Sequence, residues 1–150
     1  MVYRFDEYKC GAVVAEYLNP EVSKDLFMGL HFPSSDLPQW IRNLYQADRV
    51  QVLRNRTAET ASLVYRGTSS YVHLDMTRSY LREVTPDKIQ LFADLDVSSA
   101  MNISLVVDGD LWGLITCHSY RSKVVEISPP MREVCRTIGD CVSSQIERMY

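Results

Sequence analysis

The chain has 150 residues, of which 46% are hydrophobic and 23% charged, enough for one domain with a core of its own. A net charge of −3 and a pI near 5.6 argue against a nucleic-acid footprint. No apolar run approaches the roughly 20 residues of a membrane helix, and no signal peptide opens the chain, so a cytoplasmic protein without a membrane partner is expected. Cys10, Cys117, Cys135 and Cys141 form no C-x-x-C pair and no zinc pattern; Cys117, in an apolar run, reads as a buried free thiol in a reducing compartment.

Met1 to Glu7 alternates Tyr3 and Phe5 with Arg4 and Asp6, a strand pattern. Gly11 marks a turn, and Ala12 to Leu18 completes a hairpin that Asn19-Pro20 breaks. Residues 21 to 33 form a connector whose Leu26, Phe27, Met28 and Leu30 are expected to cover the core. The stretch Leu30 to Trp40 reads as a rigid turn running into a helix from about Leu37 to Ala47. Pro33 holds Phe32 extended, Ser34, Ser35 or Asp36 can cap, Pro38 sits in the first turn, and Trp40, Ile41, Leu44 and Tyr45 fall at buried spacing. By itself such a motif only caps a helix.

Val50 to Leu53 is a short strand, and Arg54 to Arg82 a long excursion of mixed composition with a short strand or helical turn, of the kind that is usually functional or pinned by something outside. Thr85-Pro86-Asp87 starts a helix to about Leu95, with Thr85 as its cap. Ser99 to Val107 and Leu111 to His118 flank Asp108-Gly109, the strongest hairpin signal of the chain. Pro129-Pro130 opens a long helix with Met131, Val134, Ile138, Cys141, Val142, Ile146 and Met149 as its apolar stripe. The order predicts an α+β domain: one antiparallel sheet, helices on one face, and a pocket under long crossovers on the other.

Catalytic motifs are missing. There is no nucleophile elbow, phosphate loop, dinucleotide fingerprint or zinc-protease motif, and His31, His73 and His118 lack a nucleophile partner at a recognised spacing. The domain is not expected to be an enzyme or to hold a metal.

Three stretches together resemble one family. Phe32-Pro33-Ser34-Ser35-Asp36-Leu37-Pro38 is similar to the P-A-S-D-I-P element of phytochrome chromophore-binding GAF domains. Tyr80-Leu81-Arg82-Glu83-Val84-Thr85-Pro86 is similar to their L-R-x-V-S-P helix start, and Leu111 to His118 to their L-W-G-L-I-x-C-H strand. The resemblance runs in order over nearly the whole chain. It implies a GAF-type sensory domain that binds a linear tetrapyrrole, biliverdin, for red/far-red sensing and passes the signal to a downstream histidine kinase.

Residue by residue, it implies that Asp36 contacts the pyrrole nitrogens and the last ring, with Leu37 and Pro38 in the same wall. Tyr3, Phe32 and Tyr45 match aromatic wall positions, Arg82 a propionate-binding arginine, and His118 the histidine on the last ring's carbonyl; Ser104 lies in the strand facing the other propionate. The inner positions depart from the family. Lys88 replaces a histidine under the inner rings, Leu91 a tyrosine, Gln51 an arginine, Ala100 and Asn102 two serines, and Asp87 the attachment cysteine of plant-type members. The pocket is thus partly degenerate, and a bilin here is expected to be non-covalent. An ammonium at position 88 also disfavours a protonated pigment.

The resemblance further implies that residues 1–150 are a single GAF domain without its preceding helix and without PAS and PHY neighbours. Part of the C-terminal stripe is then expected to be exposed and to form a homodimer. The alternative is a chromophore-free GAF module of the same ancestry that senses another small molecule or mediates dimerisation.

Overall fold

The computed structural model describes residues 1–21, 26–64, 74–77, 79, 82–120 and 126–149. Its core is a six-stranded sheet in which every pairing is antiparallel: β1 (Val2–Phe5), β2 (Gly11–Ala15), β3 (His31–Phe32), β4 (Val50–Leu53), β5 (Ser99–Val107) and β6 (Asp110–Ser119). Their order across the sheet is β3-β2-β1-β6-β5-β4, so the first and last hairpins lie side by side at its centre. The hairpin β5–β6 turns at Asp108 and Gly109, both at positive φ, as a two-residue primed turn requires.

Among the described residues three helices complete the domain: α1 (Gln39–Ala47), α2 (Pro86–Asp94) and α3 (Pro129–Glu147). The period-two alternation of the central strands sorts their side chains between two faces. Ile103 and Val50 meet Cys135 of α3 on one face. Tyr3, Phe5 and Leu114 meet Ile41 and Tyr45 of α1 on the other, where Ala100 and Leu53 also meet Phe92 of α2. The long helix therefore takes one face alone, and the two short helices share the pocket face with the crossovers. Gly139 permits the close approach of α3, because a Cβ there would come within 2.6 Å of Ile103 Cγ2.

Several local expectations are corrected. Gly11 opens β2 instead of turning, since the bend falls at Asp6 to Cys10 with Lys9 at positive φ; the Tyr3 ring lies where a Cβ of residue 11 would stand. β2 ends at Ala15, and the short edge strand β3 arises within the turn motif as Phe32 pairs with Gly11. Pro38 is the N-cap of α1, not a first-turn residue, and no serine or aspartate side chain caps it. Thr85 is the N-cap of α2 without a side-chain cap bond. Trp40 is exposed, and of the four connector anchors only Phe27 packs on the core; Leu26, Met28 and Leu30 are exposed. Cys117 is exposed because α3 packs mainly on β5 and leaves that end of β6 uncovered. Between β4 and α2 the described residues form no element; Tyr65, Tyr71, Val72, His73, Tyr80 and Leu81 lie outside them.

On α3 the buried face is Arg132, Cys135, Gly139 and Ser143. Met131, Val134 and Ile138 remain exposed, as expected for part of the stripe.

Candidate functional site

The site begins at the turn before α1. Asp36 N donates to the Pro33 carbonyl at 3.1 Å, closing a turn that Pro33 stiffens. Arg42, one turn into α1, folds back to donate to the Leu37 carbonyl and, at 2.7 Å, to Gln39 Oε1. The guanidinium thus ties the motif to its own helix, and the Asp36 carboxylate gains a fixed position from backbone, not from a capping role. Its described side-chain partner is Ser35 Oγ, which donates to Oδ1 at 3.4 Å.

Asp36 opens on a hollow between the sheet and the two short helices. Of the expected site residues, Tyr3, Phe32, Asp36, Leu37, Tyr45, Lys88, Asn102 and His118 line it together. Sequence reasoning missed Leu95, Leu114 and Thr116 in the same wall; the alternation that puts His118 on this face also puts Leu114 and Thr116 there. Three expected residues lie elsewhere. Pro38 lines an adjoining hollow outside the turn. Arg82 lines a third hollow beside β4 and is ion-paired with Asp48 at 3.3 Å, both side chains being less than one-fifth exposed; it also donates to the Thr77 carbonyl. Ser104 is buried under α1, its hydroxyl donating to the Tyr45 carbonyl at 2.7 Å. Asp48 was not foreseen, although its place one residue past α1 carries it toward the crossover.

The central hollow encloses about 70 Å³. Typical ligand sites span roughly 300–1,000 Å³. It is the narrow middle, or waist, of three hollows that share wall residues, together the passage. Through Asp36, Leu37, Lys88 and Leu91 it adjoins a hollow of about 340 Å³, and through Met1, Thr116 and His118 one of about 350 Å³. The lining alternates apolar walls with a few polar groups, the composition of a site for an elongated, mainly apolar ligand.

Two groups of the central hollow's wall residues, an outer one around Asp36 and His118 and an inner one around Tyr45 and Lys88, differ in chemistry. At the outer end His118 lies edge-on to Phe27, Phe92 and Tyr120, with ring centroids 5.9–6.3 Å apart. Burial, helped by the Met1 amino group, lowers its pKa to about 4, so the imidazole is neutral at pH 7 and can donate or accept. Burial, reinforced by the Asp36 carboxylate, holds the Tyr3 phenol well above its ordinary range. At the inner end Tyr45 is 1% exposed and its phenol is likewise raised by burial.

Lys88 is half-buried as a residue, but its Nζ donates to Tyr45 Oη, lies 4.4 Å from that ring's centroid, and reaches Gln51 Oε1 at 3.5 Å. Burial, with Arg82 nearby, lowers its pKa to about 7. No carboxylate among the described residues forms an ion pair with it. The Gln51 Nε2 beside it is buried without an acceptor among the described residues. These groups leave hydrogen-bond donors unused, so they suit a ligand that brings acceptors.

No family model matches the chain. Individual proteins do. It is 33% identical to "Cyanobacterial phytochrome B" of a Nostoc strain over 97% of its own length and 19% of that protein. It is also 33% identical to a bacteriophytochrome of Xanthomonas campestris, over 97% of this chain and 23% of that one. The solved chromophore-binding domain of a Stigmatella aurantiaca phytochrome superposes with a TM-score of 0.87 at 33% identity, covering 95% of this chain and 46% of that structure. The chain belongs to the phytochrome family. The GAF-type fold and the photosensory ancestry follow. The domain spans about a fifth of the length of the curated relatives it matches. No described helix is long and apolar enough to cross a membrane, and no described cluster of side chains is arranged for a metal ion.

Proposed function

We propose that this GAF domain binds a linear tetrapyrrole of the biliverdin type, non-covalently, as the light-sensing element of a larger receptor. The observation that carries the reading is the convergence of Asp36, His118, Tyr3 and Phe32 on one passage whose middle lies between two larger hollows. Asp36 supplies acceptors for pyrrole N–H groups, and neutral His118 a partner for a terminal ring carbonyl. Asn102 and the unused Gln51 Nε2 can meet carboxylate or carbonyl oxygens. Arg82 can receive a propionate only by giving up or sharing Asp48. The pigment would supply the light-absorbing conjugated system; the chain's part is to orient it and keep water away.

The test is absorption spectroscopy of the purified protein with biliverdin. A sharp red band that Asp36→Ala removes supports the reading, and a broad spectrum like that of free pigment rejects it.

The narrow waist favours a second reading, a chromophore-free module of the same ancestry, in which Tyr45, Lys88, Leu91 and Phe92 fill the slot. In either case a dimer through α3 fits the exposed Met131, Val134 and Ile138. Ile138→Asp with Ile146→Asp should then lower the mass seen in analytical ultracentrifugation from dimer to monomer. The histidine kinase, the PAS and PHY neighbours and the cytoplasmic location belong to this proposal for the whole receptor, with the GAF domain itself not an enzyme.

A further inference from the structure

Lys88 occupies a singular place in the passage. Of the residues lining the central hollow, the one outside the Asp36 turn and the one beside β4, it alone lines all three. Its amine is held against the Tyr45 hydroxyl in an apolar setting, without an ion-pairing carboxylate among the described residues. The amide that its Nζ meets at 3.5 Å carries a buried donor, Gln51 Nε2, with no hydrogen-bond partner among the described residues. Lys88 and Gln51 together line the hollow beside β4, and Lys88 alone of the two also lines the hollow of about 340 Å³; a nucleophile next to an unused donor is an arrangement for attacking a polarised double bond.

We propose that Lys88 and Gln51 form a carbonyl-capture site, at which an aldehyde or ketone on a flat apolar body condenses with Lys88 to an imine. The Nζ lone pair adds to the carbonyl carbon, and the π pair moves to oxygen, which Gln51 Nε2 receives. One N–H proton passes to that oxygen. The carbinolamine then expels the hydroxyl, which leaves as water with the second N–H proton, and the C=N bond remains. No oxidant or reductant takes part.

The titratable and charged groups that line the same hollows as the amine are Tyr45 of α1 and Asp48 at its end, Arg82 and Glu83 of the crossover, Asp87 and Asp94 of α2, Asp36 of the turn, Tyr3 of β1, His118 of β6 and Arg132 of α3. Desolvation and Arg82 both favour the neutral, nucleophilic form near pH 7. The site does not depend on pigment binding, because the amine reacts in the protein alone.

The test is reductive trapping of the pigment-free protein with trans-cinnamaldehyde and sodium cyanoborohydride, followed by peptide mass mapping. One adduct per chain at Lys88 is expected, formed at least about tenfold faster at neutral pH than at Lys9. Its pH midpoint should lie near 7, the value burial gives Lys88. Gln51→Leu should slow trapping without moving that midpoint, and Lys88→Arg, checked for folding by circular dichroism, should abolish it. Adducts spread without preference over the chain's lysines, or an unchanged rate in Gln51→Leu, would overturn the proposal.

Discussion

Two groups of residues, an outer one of Asp36 and His118 and an inner one of Tyr45, Lys88, Ser104, Arg82 and Asp48, differ in what they are already doing. At the outer end Asp36 is fixed through its backbone and His118 is held by aromatic edges, so both keep polar atoms for a ligand. At the inner end Tyr45, Lys88, Ser104, Arg82 and Asp48 are bonded to one another or to nearby backbone. The lesson is that a motif residue can keep its position while its bonding capacity is taken up by the fold. Ligand recognition and structural integrity should therefore separate under mutation.

The largest expected effect is at the inner end. Tyr45→Ala removes a fully buried ring and should cost about 3–5 kcal/mol of stability, read as a lower urea midpoint at unchanged m. Asp36→Ala should stay within about 0.5 kcal/mol of the parent while removing the pigment's sharp band. Equal stability losses for the two variants would erase the distinction.

Next in size is the Arg82–Asp48 pair. Asp48→Asn leaves a mostly buried guanidinium without its counter-charge and should cost about 1–3 kcal/mol. The double variant with Arg82→Gln should cost less than the two single changes added together. Strict additivity would mean that the pair is not coupled and that Arg82 is free for a ligand after all.

Two smaller effects depend on pH; both arise from burial of a basic group and have the same sign, in different pH windows. The folded pKa of Lys88 is lowered to about 7 from an ordinary 10.5, so between those values the unfolded chain binds more protons. Stability should rise with pH across that window, and Lys88→Met should flatten the slope. His118 is lowered to about 4 from 6.5. Its contribution should be intact above pH 6.5 and lost as pH falls toward 4, a loss that His118→Phe should remove. Thermal melts against pH read both. With biliverdin present, Lys88→His should strengthen red absorption, because it removes an amine that, with a pKa of about 7, either takes the pigment's proton or, as an ammonium, repels the protonated pigment.

Most of the fold was legible because its signals are local. Asp108-Gly109 dictates a hairpin, Pro129-Pro130 starts a helix, and the alternation in β5 and β6 sorts Asn102 and His118 onto the pocket face. The misses came from tertiary choices that local pattern does not encode. Gly11 became a strand residue because the Tyr3 ring needs the space its missing side chain leaves. Trp40 has helical spacing for burial, yet it faces the open hollow beside β4. Within the site, the motif resemblance located Asp36, Lys88 and His118. It could not show that Asp48 neutralises Arg82, that Ser104 bonds the Tyr45 carbonyl, or that the waist is narrow, since each depends on a partner distant in sequence.

The most direct test of the central claim is a crystal structure determined after incubation with biliverdin. The account predicts one open-chain pigment threaded through the waist, its pyrrole nitrogens at Asp36 and a terminal carbonyl at His118, with Lys88 and Leu91 displaced to admit it. Tyr45, Lys88 and Leu91 closing the slot, with no pigment between Asp36 and His118, would contradict it.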